Sequence, residues 1–466
     1  MKLKSFLTGA AALGLVSAAN ADVTIDITGA TAFRSAAHSA ILAGFNAGTG
    51  FRVATSGSST TGIPGATQVI FKGNYPGITG TTTVRTHFTG SVEGILALTK
   101  PTNPLYKIDV LPDSALTGPE ISIANGGVAP TANWSQNASV EVLGPKFAFS
   151  DVAQASTPAK TPKLGGGPAG VIVFAPVINK GTPTEVTNIT TQQFRQLALS
   201  GKIPLRFMTG NDSTTGNVYL TGRSDFSGTR TAFLAETGYG VSTAVKQYVM
   251  RSTTGNDTTG TVDTISLAPV ASVVTANLAD LTTAKGIQAS GVFTSAGTKE
   301  GNGGYNSGGK IAALMGRTTN ATAVVSSSNT GTTVTAATPL FLVSWLGTGD
   351  TKTSLTNGGK ILSYNGEILS DLSASPYTLG TTDRAKVRNG KYTAWSYENL
   401  FYSGTLTGDY STFYTDLKSR LTATLIGTAG LALTEMKIPV NPSDLTQGYT
   451  NTNACNRSTD GGIIAP

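Results

Sequence analysis

The chain has 466 residues, with 33 Lys and Arg against 26 Asp and Glu, and a formal charge of +7. Only 13% of residues are charged, 39% are hydrophobic, and a single cysteine, Cys455, stands beside two histidines, His38 and His87. This excludes a disulfide framework and Cys-based zinc or iron–sulfur sites, leaves too few ligands for a His-rich metal centre, and is too apolar for a disordered chain.

Residues 1–21 open with Lys2 and Lys4, continue through a short apolar run and end in Ala19-Asn20-Ala21. Such a stretch reads as a secretory leader cleaved after Ala21, and its apolar run is too short to span a bilayer. Residues 22–27 alternate as a strand and run through Thr28-Gly29-Ala30-Thr31 into a predicted helix at 32–45, with Phe33, Ala36, Ala37, Ile41, Leu42 and Phe45 at helical spacing. Strands are expected at 51–53, 68–72 and 146–150. Gly90-Ser91-Val92-Glu93-Gly94 opens a second helix at 95–98. The apolar run 170–177 predicts a buried strand. A helix capped by Thr190 or Thr191 follows at 190–199, then a strand at 217–220 and a helix from Arg230. Further helices are expected at 307–314 and 411–425, and strands at 340–345 and 392–402. Strands alternating with helices imply an α/β sheet. Gly/Thr/Ser/Asn-rich stretches at 55–67, 252–264 and 317–338 read as surface insertions.

Four segments place small residues and hydroxyls where a strand ends and a helix begins. Such turns present unpaired backbone N–H groups, and the helix dipole adds partial positive charge. They are Thr28-Gly29-Ala30-Thr31; Gly90-Ser91; Phe149-Ser150-Asp151, which supplies a carboxylate; and Arg223-Ser224-Asp225-Phe226-Ser227-Gly228-Thr229, which adds a guanidinium. Converging on one point, they would hold an oxyanion. Singly, each is an ordinary cap or turn. Scattered basic residues with no Lys/Arg block argue against nucleic acid.

Together and in order, these segments resemble the phosphate-binding protein of phosphate ABC transporters, a type II periplasmic solute-binding family. Gly29-Ala30-Thr31 is similar to the family's first loop, with Ala32 where Phe is usual; Gly90-Ser91 and Ser150-Asp151 match its second-helix start and its Ser-Asp segment. The stretch from Arg223 to Thr229 resembles Arg-Ser-Asp-Gly-Ser-Gly-Thr, with Phe226 replacing Gly. Asn188 to Lys202 and Asn389-Gly390-Lys391-Tyr392 carry further matches. The resemblance covers the scaffold and leaves out the insertions.

It implies two α/β lobes joined by hinge strands, one formed by residues 22–177 and 391–466, the other by 178–390. It also implies a monomer without a cofactor that captures inorganic phosphate in the interlobe cleft for an ABC permease, in the periplasm or outside the cell. By the same resemblance Thr31, Ala32 and Ser91 would donate to the anion, Ser227, Gly228 and Thr229 would form a third donor nest, and Arg223 would make the charge-assisted bond. Asp225 would orient Arg223, and Asp151 would accept a hydrogen borne by the ligand. A buried carboxylate facing an anion selects one that carries hydrogen, which favours phosphate or arsenate over sulfate. The alternatives are a surface structural protein on this scaffold and a phosphate-ester hydrolase relative. No metal cluster or Ser-His pair supports hydrolysis. His38 reads as a surface or packed helix residue, Glu93 as a capping-box glutamate, and Trp345 and Trp395 as core or hinge packing.

Overall fold

The computed structural model describes residues 22–47, 50–56, 62–117, 133–134, 140–250, 261–268, 273–274, 301–326, 333–334, 339–436, 456–457, 460–461 and 464–465. The expected leader at 1–21 and Cys455 lie outside them. Strand β1 (Val23–Gly29) turns into helix α1 (Arg34–Asn46). Strands β2 (Phe51–Ser56), β3 (Gln68–Gly73) and β4 (Thr82–His87) precede α2 (Ser91–Thr99). Then come β5 (Phe147–Ser150), the long β6 (Gly165–Ile178), α3 (Thr191–Ser200), β7 (Lys202–Pro204), β8 (Asn217–Leu220) and α4 (Gly228–Glu236). Next follow β9 (Thr261–Leu267), α5 (Gly308–Met315), β10 (Thr318–Ser326), β11 (Leu340–Gly347) and α6 (Thr348–Thr356). The chain continues through α7 (Thr381–Arg388), β12 (Trp395–Tyr402) and α8 (Gly408–Arg420).

Among these residues, the main sheet runs β7-β8-β11-β6-β12-β5-β1-β4-β3-β2. Strands β4, β1 and β5 are mutually parallel, as are β8 and β11. Between these sets, β6 and β12 pair antiparallel, Trp395 opposite Val173 and Tyr402 opposite Gly165. The register decides where a site can form. Ser150, the last residue of β5, stands opposite Asn399, which pairs with Pro168; Gly347, the last of β11, stands opposite Phe174. The parallel strands of the two sets therefore approach the middle of β6 from opposite directions, and their carboxyl ends open on one crevice. That is where open α/β sheets bind ligands.

The two largest apolar clusters meet along β6. Phe33, Phe45, Phe71, Phe147 and Phe149 fill one, and Phe174, Phe194, Trp345, Tyr364 and Trp395 the other; β6 supplies Ala169 to the first and Val171, Ile172 and Val173 to the second. Phe194 meets Trp345 edge-on at 5.6 Å between ring centroids, a favoured aromatic geometry. Both tryptophans are thus core residues. Helix α3 starts with a reciprocal capping box: the Thr190 hydroxyl accepts from Gln193 N (3.2 Å), and Gln193 Oε1 accepts from Thr190 N (2.8 Å).

Three expectations are corrected. The helix predicted at 411–425 ends at Arg420, and Thr422 begins a separate turn, Ala423–Ile426. Part of the stretch at 317–338 is strand: β10 pairs parallel with β9, burying Ala323 and Val325 behind a Thr-rich exterior. Glu93 makes no capping box, because α2 begins at Gly90 without a side-chain cap; its carboxyl is buried, and burial raises its pKa to about 7.

Candidate functional site

Glycine makes the approach of the strand ends possible. Gly29, at a φ of 116°, closes β1 against Phe149, and Gly94 lets α2 settle on it: a Cβ there would lie 2.9 Å from the Gly29 Cα. Val92 N donates to Phe226 O (3.1 Å), which fastens the start of α2 to the loop before α4. Gly228 is tighter still, since a Cβ would overlap the Asp151 carboxylate and the Ser91 hydroxyl.

Asp151 lies at this junction and is 1% exposed. The Ser91 hydroxyl donates to its Oδ1, and Thr229 Oγ1 donates to its Oδ2 (3.2 Å). Burial raises its pKa, while Ser91, Arg223 and Thr229 act in the opposite sense. Arg223 is buried as well. Its Nε donates to Tyr305 O (3.1 Å), and one Nη donates to both Asn306 O (2.8 Å) and Thr31 Oγ1 (3.1 Å). The first contacts fix the guanidinium plane; the last ties it to the β1–α1 turn. Ser227 caps α4, its hydroxyl accepting from Arg230 N (3.4 Å). This leaves the first-turn N–H groups of Gly228 and Thr229 without intrahelical acceptors. Ala32 is half-buried in the turn after Thr31 and faces Gly347 at the end of β11.

Thr31, Ser91, Asp151, Arg223, Gly228 and Thr229 therefore meet in one buried constellation, with Ala32 and Ser227 on its edges. The carboxylates whose charge acts on Arg223 are Asp350 and Asp151, whereas Asp225 acts on Arg230. Arg230 donates to Asn302 and to Arg223 O (3.5 Å). The Asp225 charge acts on Arg230, which in turn donates to the backbone oxygen of Arg223.

Sequence reasoning missed three charged residues. Arg34 opens α1 and Asp350 lies in the first turn of α6, pressed against Gly308 at the start of α5. Their charges act on each other and on Arg223. Asp350 was legible in principle, since Gly347-Thr348-Gly349-Asp350 repeats the pattern of a strand end, small residues and a helix start. Glu398 is fully buried on β12; a single acid within an aromatic strand gave no spacing signal.

His38 and His87 are buried within reach of the Arg34 charge; burial above all, and that charge with it, lowers the pKa of both. His38 Nε2 lies 2.7 Å from Thr86 Oγ1 and Nδ1 3.3 Å from Pro64 O. Burial lowers its pKa to about 3 and that of His87 to about 4. Among the described residues no group of His, Cys, Asp and Glu could hold a metal ion, and no helix is long and apolar enough to cross a membrane.

No family model matches the chain, and no curated protein matches it. Solved structures similar to it include the following three. An ABC-type phosphate transport receptor from Vibrio cholerae is 13% identical with a TM-score of 0.38, over 86% of this chain and 96% of that one. PstS from Borrelia burgdorferi is 11% identical with a TM-score of 0.34, over 87% and 98%. A possible phosphate binding protein from Planctomyces limnophilus DSM 3776 is 8% identical with a TM-score of 0.31, over 82% of each chain.

Proposed function

We propose that this chain is an exported phosphate-binding protein that takes up inorganic phosphate in the crevice between its two halves, without turnover, for delivery to a membrane permease. The observation that carries the reading is the pairing of buried Arg223 with buried Asp151 where the starts of α2 and α4 meet the β1–α1 turn. A cation and open N–H groups attract an oxyanion. A carboxylate in their midst repels it unless the oxyanion brings a hydrogen. Phosphate brings one and sulfate at neutral pH does not, so Asp151 discriminates by leaving sulfate with an unpaired acceptor. Contacts from both sides of the crevice, such as Arg223 to Thr31, suit a closure that removes water from the ligand.

Calorimetric titration of the protein with phosphate and sulfate tests this. Phosphate should bind and sulfate should not; Arg223→Ala should abolish binding, and Asp151→Asn should admit sulfate. Stripped protein that gives no heat with phosphate would refute the proposal.

A further inference from the structure

Glu398 is 0% exposed, and neither carboxyl oxygen has a hydrogen-bond partner among the described residues. Its strand neighbours Trp395, Leu400 and Phe401 are core residues, so an apolar side chain would fill this place at less cost. A buried carboxyl bonded by nothing calls for an explanation.

Its position supplies one. Asn399 pairs with Ser150 in the last step of the β12–β5 ladder, Glu398 and Asp151 are the next residues of the two segments, and the Asp151 charge acts on Glu398. Ser396 Oγ donates to Asp151 O (2.5 Å), which fastens the same stretch of β12 to the end of β5. Across the other ladder Glu398 stands opposite Gly170, and a Cβ there would meet Phe33, just after the turn that holds Thr31 and Ala32, together with Ile426 and the Leu431 carbonyl. Residues directly opposite in a ladder share a face. Glu398 thus lies on the α1 side of the sheet, within reach of the Asp151 charge.

We infer that Glu398 is a second carboxyl group of the anion site, kept neutral beside Asp151 and donating its O–H to an oxygen of the bound ligand. The inference rests on the phosphate reading and deepens it. The two carboxyls divide the work: Asp151, already holding two hydroxyl donors, accepts, whereas Glu398 keeps its proton and gives. Burial and the Asp151 charge both favour that neutral form. Together they match a ligand with one protonated and one bare oxygen.

The test titrates inorganic phosphate into the parent, Glu398→Gln and Glu398→Leu, and records thermal unfolding of each. The amide keeps a donor, so the Gln variant should bind within about fivefold of the parent. The Leu variant should bind about tenfold or more weakly while melting at or above the parent's temperature, since it fills the core without a polar group. Phosphate binding by the Leu variant within about twofold of the parent would overturn the inference and leave the phosphate reading standing. A parent that binds no phosphate would overturn both.

Discussion

Gly228 shows how narrowly the site is built. Its hydrogen occupies space that any side chain would take from Asp151 and Ser91. Gly228→Ala should therefore push Asp151 off its hydroxyl donors and abolish phosphate binding in a titration; an alanine variant that binds like the parent would show that the contact is not part of the site. The sequence made this glycine visible as part of a seven-residue motif, together with Arg223 and Thr229, because nests and caps are local. It could not reveal which way the Arg223 guanidinium turns. Its direction is set by Tyr305 and Asn306, far along the chain. Glu398 stayed hidden for the same reason, since its neighbour Asp151 is supplied by another strand.

At the level of elements, α1 and β4 are joined by a buried imidazole. His38 cannot accept a proton in the folded chain until about pH 3, whereas unfolded it does so near 6.5. The depressed pKa fixes the sign. Stability is intact above 6.5 and falls as pH drops toward 3, by at most about 1.4 kcal/mol per pH unit. His87 adds the same trend down to about 4. Denaturant titrations across this window should show the decline, and His38→Gln should flatten it; an unchanged slope would mean that another group governs acid unfolding. Helices with strong local signals, such as α3 with its capping box, were legible. The end of α8 was not, because Leu421 and Leu425 prolong the apolar spacing past the true break at Thr422. Strand β10 was masked by composition: Thr and Asn face outward while Ala323 and Val325 turn in, so a folded ladder looked like a loop.

For the whole molecule, the two apolar clusters share β6, so neither half has a complete sheet of its own. Differential scanning calorimetry of the stripped protein should show one cooperative transition. Phosphate at one hundred times its dissociation constant should raise the stability by about 2.7 kcal/mol. Two separate transitions would show that the halves melt independently, and an unmoved transition would count against binding. The α/β class and the strand ends that frame the crevice followed from the chain's alternation of elements. The opposed approach of the two strand sets did not, since it is a property of the register along β6.

The return of β12 has a consequence for how the molecule comes into being. The strand that seats Ser396 and Glu398 beside Asp151 is also the partner of β5 and β6, yet it is made long after both. A growing chain that has not reached Tyr402 can shape the turns around Ser91 and Arg223 but has no floor beneath them. If the crevice holds an anion as proposed, binding competence arrives late, with the segment that closes the sheet. A product truncated before Trp395 would carry the whole recognisable motif and still be unable to hold an anion.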